Sequence, residues 1–326
     1  MQLRSKPQRQ KNSMAIAQLI TPEKHDLGGF SVYRSLPQPA RAMVGPFIFF
    51  DHLGPAVFPP GKGVDVRPHP HINLATVTYL FEGSLLHRDS LGIVQEILPG
   101  EVNWMTAGKG VVHSARSPDH FRTSESTLHA LQIWIALPEN YEEINPTFSH
   151  HPATDLPQWT TTGTAATLIA GDFQQYTSPV QTFSLMLYLS LLFTENSQFQ
   201  LPAISEKENI ERAVYSVTPG ISINGNPLEP HQLAVLAPNE AITLSGRADA
   251  KCAVIGGKPL GRRTKYWNFV SSEPARIEQA KKDWQTFTTD PSLSQRFHPV
   301  NGETECIPLP KNAKAISSDT PVQPLS

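Results

Sequence analysis

The strongest constraint in this chain is its punctuation. Short apolar or alternating runs are cut off, again and again, by glycine and proline. "GPFIFFDHLGP" (45–55) is an apolar run closed by Gly-Pro at each end. "LATVTYLFEG" (74–83) alternates, carries β-branched and aromatic residues, and stops at Gly83. "SLLHRDSLG" and "IVQEIL" read as the two arms of a hairpin around Gly92. "PGEVNWMTAGKGVVHSA" (99–115) is a turn, a strand, a glycine turn and a second strand, and "LHALQIWIALP" (128–138) alternates again. Such runs are too short for helices and suit strands bounded by turns. Thirty prolines and twenty glycines keep this texture throughout.

The second half repeats it. "FSLMLYLSLLF" (183–193) reads as a buried strand, and "AVYSVTPGISINGNPLEPHQLAVLAP" (213–238) as strand, turn, strand, turn, strand. "AITLSG" and "KCAVIGG" continue the series. Pro-Gly at 99–100 and Glu-Pro at 229–230 each precede an apolar strand, which suggests two β-domains on one plan. The join is expected in the proline-rich, polar "PENYEEINPTFSHHPATDLPQW" (138–159). The expected division is a tail over 1–14, a first domain over 15–145, a second over 146–310, and a tail over 311–326. One helix interrupts the pattern, "SEPARIEQAKKDWQTF" (272–287). Ser272 suits its N-cap, Pro274 its first turn, and Ile277, Ala280, Trp284 and Phe287 fall on one face.

Composition excludes several classes. Hydrophobic content of 39% and charged content of 17% fit a globular chain. A net charge of −2 gives no field to recruit nucleic acid or an anionic membrane. No apolar run approaches the ~20 residues of a membrane helix. The start, "MQLRSKPQRQKNS", is basic and lacks the apolar core of a secretory signal. Cys252 and Cys306 match no zinc or redox spacing, so they read as buried thiols in a reducing, cytoplasmic setting, with a disulfide between them as the alternative.

The chemistry gathers at histidine. "RPHPHINLATVTYL" (67–80) sets His69 and His71 one residue apart. In an extended segment, residues i and i+2 share a side. Pro70 disfavours the helical region for His69 and so favours extension. Two imidazoles are too few to hold a metal. His113 in "GKGVVHSA" follows a glycine turn that can fold its strand back as a third. Against this stands the ordinary use of histidine, of which the chain has twelve, as a surface or core residue.

"GPFIFFDHLGP", "RPHPHINLATVTYLFEGSLLHRDSLG", "PGEVNWMTAGKGVVHS" and "YWNFVSSEPARIEQAKKDW" together resemble the bacterial branch of the pirin family, over about residues 25 to 310. The resemblance implies an all-β bicupin: two antiparallel jelly-roll barrels with a C-terminal helix. It implies one mononuclear divalent metal, usually iron and so Fe(II), in the first barrel. The second barrel would lack ligands. His150 and His151 fall in the expected linker and His231 in a turn, in keeping with that.

The family's metal is held by three histidines, matching His69, His71 and His113, and by a glutamate two residues after the third, in a stretch resembling "HSER". This chain reads "HSAR", so the fourth position is Ala115. Three imidazoles still form a usable set. Without the carboxylate, iron is expected to bind weakly or to be absent. Asp119 and Glu125 follow as loop acids, expected to be solvated. His52 and His87 lie in matching segments and read as pocket wall or outer-shell groups. Trp104, Met105, Phe47, Phe49, Phe50 and Tyr79 read as barrel core, any of them able to line a pocket mouth.

Two functions follow from the resemblance. One is a quercetin 2,3-dioxygenase-like oxygenase acting on a small flavonol-like aromatic, with the ligand and general base at residue 115 missing. The other is a non-catalytic metal- or redox-sensing module that binds a transcription factor or a metabolic enzyme.

Overall fold

The computed structural model describes residues 15–26, 30–238 and 240–318. The expected tail over 1–14 lies outside them. The chain forms two antiparallel β-barrels, each a large sheet faced by a four-stranded one. In the first barrel the large sheet runs Thr147–His151, Val102–Thr106, Leu74–Glu82, Ser126–Ala136, Phe47–Phe58, Ser31–Leu36 and Glu23–Asp26. Its small sheet runs Asp65–His71, Val111–Arg116, Leu85–Asp89 and Val94–Ile97. In the second barrel the large sheet runs Ile16–Ile20, Leu233–Leu236, Glu211–Ser216, Lys251–Gly257, Met186–Phe193, Thr164–Phe173 and Gln158–Thr161. Its small sheet runs Ser197–Leu201, Ile242–Gly246, Ile221–Ile223 and Asn226–Leu228. Apart from the edge strands Thr147–His151 and Ile16–Ile20, the strands of the two barrels match in chain order and share one topology.

Strand pairing crosses the 145/146 line in both directions. Ile16–Ile20 pairs with Leu233–Leu236 of the second barrel. Thr147–His151 pairs with Val102–Thr106 of the first, so His150 and His151 sit on a barrel strand and not in a linker. The span 311–326, expected as a loose tail, is ordered as far as Ser318: Ile316–Ser317 pairs with Thr264–Tyr266, and the Ser318 amide donates to the Arg263 carbonyl. Residues 319–326 lie outside the described residues.

The helix is Pro274–Thr289, and its buried face is Ile277, Ala280, Trp284 and Phe287. Its N-cap is Glu273, not Ser272, and no side chain caps it. The buried carboxylate of Glu142 takes over near this end. It accepts from the Ser271 hydroxyl, the Ser272 amide and Arg276. The helix packs on Ile72 and Val112 and so leans on the first barrel, although it follows the second in sequence. No helix among the described residues is long and apolar enough to cross a membrane.

The two large sheets meet face to face. Phe47, Phe50, Val77, Tyr79, Trp104 and Ile133 of one interleave with Tyr188, Tyr215 and Ile255 of the other. Phe49 and Met105 point the opposite way, into the first barrel's own core. The glycine turn before His113 is enforced by space. Gly108 has φ +47°, and a Cβ there would meet the Ile144 carbonyl oxygen at 2.1 Å.

Candidate metal centre

Register brings the three histidines together. Val111–Arg116 lies antiparallel to Asp65–His71, with His113 opposite His69 and Val111 opposite His71. His69 and His71 share a side by their i, i+2 spacing, and His113 joins them across the ladder. One ligand nitrogen from each ring lies within 4.8 Å of the others, and ring centroids are 4.4–5.0 Å apart. All three are buried. Burial pushes the His69 imidazole down to about 4 and holds His71 and His113 well below the usual histidine range, with their mutual repulsion adding to it. They are neutral at pH 7, the form that ligates a metal.

The hydrogen bonds fix which nitrogen is free. His69 Nδ1 donates to the Arg67 carbonyl at 2.8 Å, which leaves the Nε2 lone pair. The His71 ring bonds to the Asn268 backbone, and its Nδ1 is buried without a partner. Asp89 Oδ2 lies 3.0 Å from His87 Nε2, so a neutral His87 carries its proton there and accepts at Nδ1 from His113 Nδ1, 3.4 Å away. That leaves His113 Nε2, which is also buried and unpartnered. Two orphaned buried nitrogens beside the free Nε2 of His69 suit a divalent metal. Donors around such an ion stand about 3–3.4 Å apart, so small ring movements would close the set. His87 thus sits behind His113, stacked on Phe148 and anchored by Asp89.

The rings open onto a cavity of about 430 Å³. Ala115 lines it beside His113, where a methyl offers no ligand. Asp119 and Glu125 are exposed and outside it. Its wall is the pair Phe49–Trp134, stacked with centroids 4.0 Å apart, and Trp134 meets His71 edge to face. Asp51, Arg34, Gln132, Lys265 and Asn268 complete it, and the sequence reading singled out none of them. Asp51 accepts two bonds from Arg34, at 2.8 and 2.7 Å. A carboxylate inside the apolar run "FIFFDH" was the one local signal for a buried partnered charge.

His52 is not in this cavity. Strand alternation that turns Asp51 inward turns His52 toward the second barrel. There it lies 2.7 Å from His129 Nε2, 2.8 Å from the Tyr215 hydroxyl and 3.0 Å from His231 Nδ1. His231, in a turn, stacks on Tyr33. Both cysteines are free. Cys252 is buried and its thiol pushed up to about 12, while Cys306 is only half-buried.

A family model described as Pirin matches residues 29–135, and one described as Pirin C-terminal cupin domain matches residues 188–290. The "Pirin-like protein" of Caulobacter vibrioides is 45% identical over 291 residues, covering 88% of this chain and 97% of that one. "Pirin" of Mus musculus is 28% identical over 275 residues, covering 82% and 90%. The crystal structure of a protein titled "Quercetin 2,3-dioxygenase" from Acinetobacter baumannii superposes with a TM-score of 0.80 at 32% identity, covering 92% of this chain and 98% of that one. Two barrels of one topology, matched in order along the chain and carrying three histidines inside the first, belong to one family: this chain is a member of the pirin family.

Proposed function

We propose that the chain is a metal-dependent dioxygenase that takes a flavonol-like substrate into the first barrel, with Fe(II) held by His69, His71 and His113. The observation that carries this reading is the meeting of three buried imidazoles, two of them with an unpartnered buried nitrogen, at a 430 Å³ cavity walled by stacked aromatic rings. A bound divalent metal would supply open positions for substrate oxygens and dioxygen. The chain's own residues do the rest. Phe49 and Trp134 offer a flat apolar wall to a planar ring. His87 and Asp89 hold His113 in its tautomer. Asp51, with both oxygens on Arg34, is engaged, so Ala115 leaves the substrate hydroxyl without an adjacent carboxylate base. The name of the Acinetobacter protein supports the substrate class. The two free thiols support a reducing, cytoplasmic setting.

Ala115 specifically favours a second reading. A metal- or redox-sensing module that binds a protein partner tolerates a site without its base. The test is oxygen uptake with quercetin by protein loaded with Fe(II), after metal analysis of protein purified without added metal. Uptake that disappears in His113→Leu supports the oxygenase. Stoichiometric iron with no uptake, together with partner capture that changes on iron oxidation, carries the sensing reading instead.

A further inference from the structure

The cavity that holds the three histidines also holds a cation with nothing to neutralise it. Lys265 comes from Thr264–Tyr266, a strand that follows the second barrel in sequence and returns to the mouth of the first. Its Nζ stands 5.6 Å from the centroid of Phe49 and 5.5 Å from that of Trp134. Among the described residues no hydrogen bond or ion pair holds it. The carboxylate nearest in role, Asp51, is taken by Arg34, whose own guanidinium lies 4.5 Å from the other contact of Lys265, the Phe49 ring. Burial, and then the charge of Arg34, push the Lys265 ammonium down to about 8, with Asp51 only partly offsetting them. A half-buried cation beside a stacked aromatic pair and without a counter-ion is a group waiting for an anion.

We propose that Lys265 selects the ligand of this cavity: a planar aromatic molecule carrying an ionised oxygen, which the ammonium holds while the ring lies along Phe49 and Trp134. This rests on the reading of the cavity as a substrate site and deepens it from a flavonol-like aromatic to the anionic form of one. The charge balance points the same way. Arg34 and Asp51 cancel and the neutral histidines add none, so Lys265 leaves the metal-free cavity net positive, and a divalent metal or the rim Lys314 only adds to that; an anion is favoured in either state. Lysine suits this role better than arginine, because a compact ammonium meets a single oxygen while a guanidinium asks for two.

The probes are salicylate and its neutral isostere salicylamide, titrated calorimetrically at pH 7 into the full-length protein, iron-loaded and again after chelation. The wild type is expected to bind salicylate at least tenfold more tightly than salicylamide in both states. Lys265→Met should bring that ratio close to one, and Lys265→Arg should restore part of it. Equal binding of the two probes by the wild type overturns the proposal, as does binding of neither. A preference that survives Lys265→Met, or that follows Lys314→Met at the exposed rim instead, overturns it too. Because the readout is a binding ratio, it stands apart from turnover. Absence of oxygen uptake would remove the oxygenase reading and leave the anion selectivity to be judged on its own.

Discussion

The two barrels share a topology and differ in what faces inward. Laid over each other by strand register, Val111 opposite His71 corresponds to Ile242 opposite Leu201, and His113 opposite His69 to Leu244 opposite Phe199. The three histidines of the first barrel are therefore Phe199, Leu201 and Leu244 in the second, all buried in its core. The polar support changes with them. His87 and Asp89, opposite Ala115 and His113, become Ile221 and Ile223, opposite Gly246 and Leu244. Ala115 becomes Gly246, and a Cβ there would meet the Phe193 ring at 2.1 Å. Phe193 fills that space. One scaffold thus holds either a sealed apolar core or a polar pocket, and the choice lies in a handful of inward positions. The backbone alone says nothing about which barrel does chemistry.

Exchanging single residues across this correspondence tests it. Leu244→His should be the most damaging. An imidazole placed there has no partner among the surrounding aliphatics and no cavity to fill. Unsatisfied burial costs ~1–3 kcal/mol and overpacking a similar amount, so about 3 kcal/mol of stability should be lost. A urea midpoint moved by less than the equivalent of ~1 kcal/mol would mean that the second barrel has room for a polar group, and the contrast drawn between the interiors would fail.

The reciprocal change, His113→Leu, should leave the fold intact and empty the site. Replacing the ring removes an orphaned Nε2 but also the weak bond to His87, so the metal-free protein should change little in stability. Metal affinity should fall more than ~100-fold, beyond what loss of an outer-shell partner costs, equivalent to about 2.8 kcal/mol. Calorimetric metal titration and a metal-free melting curve, read together, separate the two effects. A variant that melts much lower without metal would make His113 a structural residue first.

The sequence shows this contrast only in part. Strands were legible because their signal is local, in alternation and in the breakers at each end. His69, His71 and His113 were legible for a related reason. Two lie within three residues, and the third ends a strand after a visible glycine turn. The rest of the cavity was not. Asp51, Trp134 and Lys265 stand far apart in the chain and meet through pairings that no short window contains. His52 shows the limit most sharply: its residue type suggested the pocket, and the parity of one strand sent it to the seam. The exchange of edge strands Ile16–Ile20 and Thr147–His151 is equally non-local.

Acid should separate the regions more gently. The seam beside the first barrel holds His52, His129 and His231, whereas the second barrel's interior has only apolar groups in the places that register with His69, His71 and His113. Burial, then the charge of Lys251, then His231, push His129 down to about 4, and burial holds His52 well below its usual range. The unfolded chain takes up protons near pH 6.5 while the folded one resists. Stability is therefore complete above pH 6.5 and is lost as pH falls toward 4. The His129 share at pH 5, discounted for screening at a partly exposed ring, is on the order of 1 kcal/mol. Urea midpoints measured from pH 7 to pH 5 should fall, and His129→Asn should flatten the curve. A slope unchanged by that substitution would place the acid sensitivity elsewhere.

The smallest change asked of the comparison is at Ala115, where both barrels carry a small residue. Gly246 is small because Phe193 occupies the space beside it. Ala115 is small with an open cavity in front of it, bordered by His113 on its own strand and by His69 and His71 across the ladder. A longer side chain at 115 therefore has somewhere to go, and a carboxylate there would face three neutral imidazoles. Ala115→Glu should tighten divalent metal binding about tenfold, or ~1.4 kcal/mol, a modest effect for a charged ligand. It also puts a proton acceptor beside the substrate, so oxygen uptake with quercetin should rise in the same variant. Metal titration and oxygen uptake on both forms, side by side, separate the two effects. Unchanged metal affinity would mean that residue 115 points past the ion, as the register shift between His113 and Ala115 would allow. Tighter metal without any uptake would leave the ligand set complete and the oxygenase reading weaker than the sensing one.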